Sequence, residues 1–297
     1  MSKQHDLSLH QQALQELFPN ISKWETNTEG FDHVVFIANE TVVRMPWFAN
    51  YKGSAILERE YAFLQKFGST FSMQTPRMQI HRGLAGGLTA VSYPYLKGSP
   101  LLPASIKELS DDAQTEIARQ LGVFLTELHS LSVAEVAAIG YEVIDPSDYA
   151  DYISDMTDRY NRTGIFEKTG YMEQILSLTA DYIHSVRTHG FEVVVNHSDM
   201  QPEHILRDDS GILSVIDFGD IRINDPAYDF TFINHYPDIF RSAVLRSYTR
   251  VMDSHFQLRM LYHGVRHIAG KAEQGRLSAK NQRRLEQLLL RYEAPGE

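Results

Sequence analysis

His197-Ser198-Asp199-Met200-Gln201-Pro202-Glu203-His204, followed by Asp217-Phe218-Gly219, is the stretch on which the reading of this chain turns. A kinase-type catalytic loop places a carboxylate that takes a hydroxyl proton five positions before a metal ligand, and brings a second metal-binding carboxylate from a nearby hairpin. Asp199, His204 and Asp217 stand at those positions. Between the last two, Ile205-Leu206-Arg207 and Ile212-Leu213-Ser214-Val215-Ile216 are β-prone, and Asp208-Asp209-Ser210-Gly211 is turn chemistry. The hairpin predicted there holds both metal ligands near one point.

Together with Val194-Val195-Asn196 before the loop, Asp220 after Gly219, and Asp225-Pro226-Ala227-Tyr228-Asp229, these segments resemble the aminoglycoside phosphotransferase family, kinase-like enzymes that phosphorylate antibiotic hydroxyls. The ordered set is specific where a lone Asp-Phe-Gly is not. Most of the family carries Asn where this chain has His204, whereas the 2''-aminoglycoside and macrolide kinases are similar to it in carrying His. The resemblance implies an α+β, protein-kinase-like fold of two lobes. Residues 1–95 would form a small β-sheet N-lobe with one helix, residues 96–297 a larger, mainly helical C-lobe, and 93–98 the hinge. It also implies Asp199 as catalytic base, with His204 and Asp217 holding Mg2+ or, given the imidazole, Mn2+. Arg44 stands where kinases usually have Lys, with Glu60 as its expected helix partner and Glu58 as the alternative. Tyr93, Tyr95 and Leu96 are expected at the base of ATP or GTP.

The segments around these positions fit. Val34–Ile37 and Thr41–Met45 flank the turn-like pair Asn39-Glu40, Ser54–Phe67 has helical periodicity, and Arg77–His81 and Leu88–Tyr93 are β-prone. After the hinge the chain reads as helical over 111–131, 171–187 and most of 225–292. His129 and His197 read as structural, His197 bracing the loop, and Asp225 and Asp229 as caps and anchors of the following helix. Thr26–His33, where a kinase has its glycine-rich loop, contains a single Gly, so no phosphate cradle is legible there.

Asp145 with Pro146 is a helix start. The helix it opens carries Asp148, Asp151, Asp155 and Asp158, spaced three, four and three, so that all four carboxylates share one face. Such a stripe is a candidate site for the ammonium groups of an aminosugar. Charge agrees: the chain has 28 basic and 38 acidic residues, a net of -10. Residues 1–95 hold eight of each sign, so 20 minus 30 places the whole excess in residues 96–297. That field disfavours nucleic acid and attracts a cationic small molecule. With no cysteine, disulfides and thiolate metal sites are excluded. No apolar run approaches the roughly 20 residues of a membrane span, and the first residues lack a signal-peptide core, so a cytoplasmic protein is expected.

An aminoglycoside hydroxyl is the leading acceptor, with macrolides and metabolites of the choline or homoserine kind as alternatives on the same fold. From another class, His197, Asp199, His204 and Asp217 suit the metal centre of a hydrolase. That reading leaves Arg44, Glu60 and the hinge unexplained.

Overall fold

The computed structural model describes residues 6–293 except 29, 31, 49 and 50. The chain divides into two compact units, residues 1–100 with 204–219 and residues 101–203 with 220–297.

The first unit is built on an antiparallel sheet of β1 (Glu25–Asn27), β2 (His33–Ala38), β3 (Thr41–Pro46), β4 (Gln79–Leu84) and β5 (Leu88–Pro94), in the order β1-β2-β3-β5-β4. Asn39 and Glu40, at φ 47° and 59°, form the two-residue turn between β2 and β3. Turns with both central residues left-handed match strand twist, which is why Asn is favoured there. On β3, Val43 and Met45 pack with Val34, Phe36, Leu88 and Ala90 against Ala13 and Leu14. Those last two belong to a helix, Ser8–Leu17, beyond the single helix expected in this unit. Side chains alternate along a strand, so Arg44 faces away from that core. The expected helix, Tyr51–Phe67, packs against β3 and β5.

The hairpin Ile205–Arg207 and Leu213–Val215 forms with Ile205 opposite Val215, as the turn chemistry predicts. Sequence reading grouped it with residues 96–297, but it packs with the sheet unit. Ser99 pairs with Arg207, and Gln74 bridges to Ser214. Gly98, at φ 141°, permits this, because a Cβ there would lie 2.8 Å from the carbonyl carbon of Arg207.

The second unit is mainly helical, with long helices at Asp111–His129, Pro146–Arg162, Met172–His189, Phe256–Glu273 and Ala279–Glu293. Asp145 caps the second of these, accepting from the Ser147 amide at 2.8 Å. Its core joins Tyr149, Ile153, Leu178, Tyr182, Tyr262, Leu285 and Leu288. Gly122 brings Asp111–His129 against Asp238–Ser247 backbone to backbone, since a Cβ would sit 2.6 Å from the Val244 oxygen. A two-stranded ribbon, Val194–Asn196 with Arg222–Asn224, brackets the functional loop. The stretch after Asp225 is less regular than expected, with a run of 3-10 turns over Pro226–His235 before the next α-helix. Among the described residues, no helix is long and apolar enough to cross a membrane.

Candidate active site

In the sheet unit the site grows from one misplaced charge. Glu60 lies on the buried stripe of Tyr51–Phe67, at helical spacing from Leu57, Phe63, Leu64 and Phe67, and is itself fully buried. A carboxylate there requires a partner of opposite charge. Arg44 provides it through Nη1, at 2.8 Å from Oε1 and 3.0 Å from Oε2, and the Phe218 amide donates to Oε1 at 3.1 Å. Burial pushes the Glu60 carboxyl up, against the pull of Arg44. Burial likewise opposes the Arg44 charge, but Glu60 and Asp217 more than offset it, and the guanidinium is held above its ordinary range. Glu58, the alternative partner, is paired with Arg82 instead.

Arg44 also reaches the Asp-Phe-Gly segment, donating from Nη2 to Asp217 Oδ1 at 2.8 Å. Phe218 stacks on Phe63 and Phe71, at 5.9 and 6.3 Å between centroids, which fixes the segment next to the helix. Asp217 itself sits at φ 66°, a conformation that costs a non-glycine residue energy and clusters at functional sites. Its second oxygen, Oδ2, lies 3.6 Å from His204 Nε2. Two donors about 2.0–2.2 Å from one ion stand at most about 4.4 Å apart, so this oxygen and nitrogen suit a single Mg2+ or Mn2+.

Tyr93 projects near Arg44, and burial raises its phenol to about 12. The Tyr95 amide donates to the Glu40 carbonyl at 2.7 Å, while the Tyr95 ring is exposed. Leu96 lines a cavity of about 590 Å³ with Leu64, Phe71 and Gln74. In the glycine-poor loop, Glu29 and Phe31 lie outside the described residues.

In the helical unit Asp199 follows a residue in the left-handed region, Ser198 at φ 66°. The turn is held by Asp229, whose Oδ2 and Oδ1 accept from the amides of His197 and Ser198, each at 2.7 Å. His129 Nε2 is 3.2 Å from the same carboxylate and its Nδ1 is 2.8 Å from the Tyr248 hydroxyl, making a buried chain Asp229, His129, Tyr248. Asp229 therefore clamps the loop rather than capping a helix. Asp225 does cap, accepting from the Ala227 amide at 3.0 Å, and it also pairs with buried Arg259 and His263. His197 braces the loop as expected, its Nδ1 accepting from the Asp199 amide at 3.3 Å. Gln201 Nε2 donates to Asp199 Oδ1 at 2.6 Å, which orients the carboxylate.

A cavity of about 210 Å³ opens beside Asp199, lined by Glu203, Lys271, Lys280 and Arg284 among others. Sequence reading passed over these cations. The signal was there, since His267 and Lys271 on one helix and Lys280 and Arg284 on the next are each four apart and share a face. Asp148, Asp151, Asp155 and Asp158 do lie on one continuous helix and are all exposed. None of the four lines this cavity, and Asp151 is paired with Arg187 at 2.7 Å.

The model of the phosphotransferase enzyme family matches residues 23–258. Among solved structures, the chain is similar to an aminoglycoside 2''-phosphotransferase IIIa in complex with GDP and kanamycin, at 21% identity and TM-score 0.77 over 97% of this chain and 98% of that one. It is also similar to the ternary complex of aminoglycoside 2''-phosphotransferase IIa with streptomycin and ATP, at 18% identity and TM-score 0.67 over 94% and 98% of the two chains. A third is the macrolide 2'-phosphotransferase MphH of Brachybacterium faecium, at 20% identity and TM-score 0.61 over 93% of each. At these identities the likeness is one of fold, and the small antiparallel sheet with a mainly helical remainder is the expected kinase-like architecture.

Proposed function

Because this chain belongs to the phosphotransferase enzyme family, we propose that it transfers the γ-phosphoryl group of ATP or GTP to the hydroxyl of a small-molecule acceptor. The observation that carries the reading is the buried guanidinium of Arg44, fastened to Glu60 and touching Asp217. Phosphoryl transfer asks the protein for positioned charge more than for covalent chemistry. Arg44 supplies a permanent, planar cation for the phosphates, and Glu60 keeps its fork from swinging away.

Asp199 takes the proton of the attacking hydroxyl, its carboxylate oriented by Gln201 and its backbone by Asp229. Asp217 Oδ2 and His204 Nε2 would hold Mg2+ or Mn2+. When bound, that ion neutralises charge on the phosphate oxygens. Tyr93, Tyr95 and Leu96 are the proposed neighbours of the nucleotide base. A cytoplasmic setting, where nucleoside triphosphates are plentiful, belongs to the same proposal.

For the acceptor, an aminoglycoside is supported by the family, by relatives solved with kanamycin or streptomycin, and by the net charge of -10. In that case the exposed stripe Asp148, Asp151, Asp155 and Asp158 is the proposed docking face for ammonium groups. The cavity that contains Asp199 favours a second reading, developed below. Nucleotide consumption with ATP and GTP in Mg2+, in the parent and in Asp199→Ala, tests the reaction itself. Acceptor-dependent release of nucleoside diphosphate that is lost in the variant is the expected result, and equal release in both would sink the assignment.

A further inference from the structure

Two independent features of the cavity beside Asp199 bear on what the enzyme phosphorylates. The first is charge. The part of the chain from residue 96 carries 30 acidic and 20 basic residues, yet three cations, Lys271, Lys280 and Arg284, converge on this cavity with only Asp199 and Glu203 as acidic counterparts. Among the described residues none of the three cations is in an ion pair with a carboxylate. Lys271 and Arg284 are half-buried, so their charges act on the cavity at short range, whereas surface carboxylates beyond roughly 8–10 Å are screened by salt. Burial and then the neighbouring Arg284 charge hold the Lys271 ammonium below its ordinary range. Burial, followed by Arg284 among other cations, pushes His235 on the same wall down to about 3. A cation placed here would meet more of the same sign, while an anion would relieve the repulsion.

The second feature is size. About 210 Å³ falls below the roughly 300–1,000 Å³ of sites that enclose drug-sized ligands. It would not enclose a molecule of several linked sugar rings.

We propose, on the footing that the chain is a hydroxyl kinase, that its acceptor is a small anionic alcohol, with its carboxylate or phosphate held by Lys271, Lys280 and Arg284 and its hydroxyl presented to Asp199. In the reaction the hydroxyl oxygen forms a bond to the γ-phosphorus and the bond from that phosphorus to the β,γ-bridging oxygen breaks. The nucleoside diphosphate leaves with the electron pair, and the hydroxyl proton passes to Asp199.

The test is steady-state turnover of the full-length protein with ATP and GTP on a charge-graded set: glycerate, glycerol 3-phosphate and ribose 5-phosphate as anions, glycerol and ribose as neutral alcohols, and kanamycin as a polycation. We expect kcat/KM at least tenfold higher for one or more of the anions than for any neutral or cationic acceptor, with the carboxylate and phosphate arms telling which anion is preferred. Lys271→Gln and Arg284→Gln should each raise KM for that anion tenfold or more with kcat changed less, and Arg284→Lys should recover much of the loss. A thermal melt of each variant separates lost binding from lost folding. Kanamycin or a neutral alcohol turning over as well as the anions overturns the inference and leaves the kinase reading standing. So does an anion KM unmoved in the folded Gln variants. Absence of Asp199-dependent nucleotide consumption with every acceptor defeats both readings.

Discussion

Arg44 Nη2 and Asp217 Oδ1 meet at 2.8 Å across 173 positions of sequence. One cation thereby joins the strand, the helix that carries Glu60, and the segment that would hold the metal. Asp217 is left with a division of labour between its oxygens, Oδ1 toward Arg44 and Oδ2 toward His204.

Removing Arg44 therefore strands a charge. We expect Arg44→Ala to raise the nucleotide KM and to destabilise the sheet unit by about 3–5 kcal/mol, because Glu60 remains buried and uncompensated. Arg44→Lys should keep part of the activity but lose the two-point hold on Glu60. The double variant Arg44→Ala with Glu60→Ala should be less destabilised than the sum of the singles. Both tryptophans, Trp24 and Trp47, lie in this unit, so urea titration followed by tryptophan fluorescence reads the effect; additive losses would show that the pair is not coupled.

Asp199 and Asp217 should fail differently. Asp199→Ala is expected to lower turnover at least a hundredfold and leave nucleotide affinity within a few-fold, since its carboxylate meets Gln201 of the same loop and its proposed role is toward the acceptor hydroxyl. Asp217→Ala should weaken metal-dependent nucleotide binding as well. Calorimetric titration of nucleotide in Mg2+ distinguishes them, and equal affinity losses would merge the two roles.

His204 carries a metal-selectivity expectation. Imidazole suits manganese better than magnesium, which prefers oxygen. Manganese should support turnover at least as well as magnesium at low metal concentration in the parent, His204→Asn should shift the preference toward magnesium, and His204→Leu should be nearly inactive. Identical manganese-to-magnesium ratios in parent and Asn variant would remove His204 from the ion.

How much of this was readable beforehand varied with the distance over which the physics acts. The hairpin from Ile205 to Val215 and the helix from Pro146 were legible because turn and cap chemistry is local. Arg44 and Glu60 were legible through motif spacing, although only packing separates Glu60, on the buried stripe, from Glu58, on the surface beside Arg82. The helix Ser8–Leu17 was passed over, as its packing partners arrive later from the sheet. The clamp formed by Asp229 was misread as a cap, because its two amide partners lie 31 and 32 positions away. The cations of the cavity beside Asp199 sat in plain view at helical spacing and were masked by the acidic total.

One acid sensitivity follows from His33. Burial, then the Arg44 charge, lowers its pKa to about 4, so between about 4 and the unfolded value of roughly 6.5 the unfolded chain binds the extra proton. Stability of the sheet unit should consequently fall as pH drops from 7 to 5, by about 2 kcal/mol from this residue. His33→Gln should flatten the dependence in the same fluorescence-monitored urea titrations, and an unchanged slope would place the titrating group elsewhere.

Asp229 grips His197 and Ser198 by their main-chain amides, and amides are common to every residue but proline. That grip is thus independent of the side chains at those two positions. For an engineer this separates address from lettering: Asp229 holds the main chain at 197 and 198 whatever side chains stand there, provided residue 198 tolerates a left-handed turn, while the His197 and Gln201 side chains still aim Asp199. If the cavity beside Asp199 takes the acceptor as proposed, its preference is accordingly one to rewrite in the helices that carry Lys271, Lys280 and Arg284, leaving the grip of Asp229 untouched.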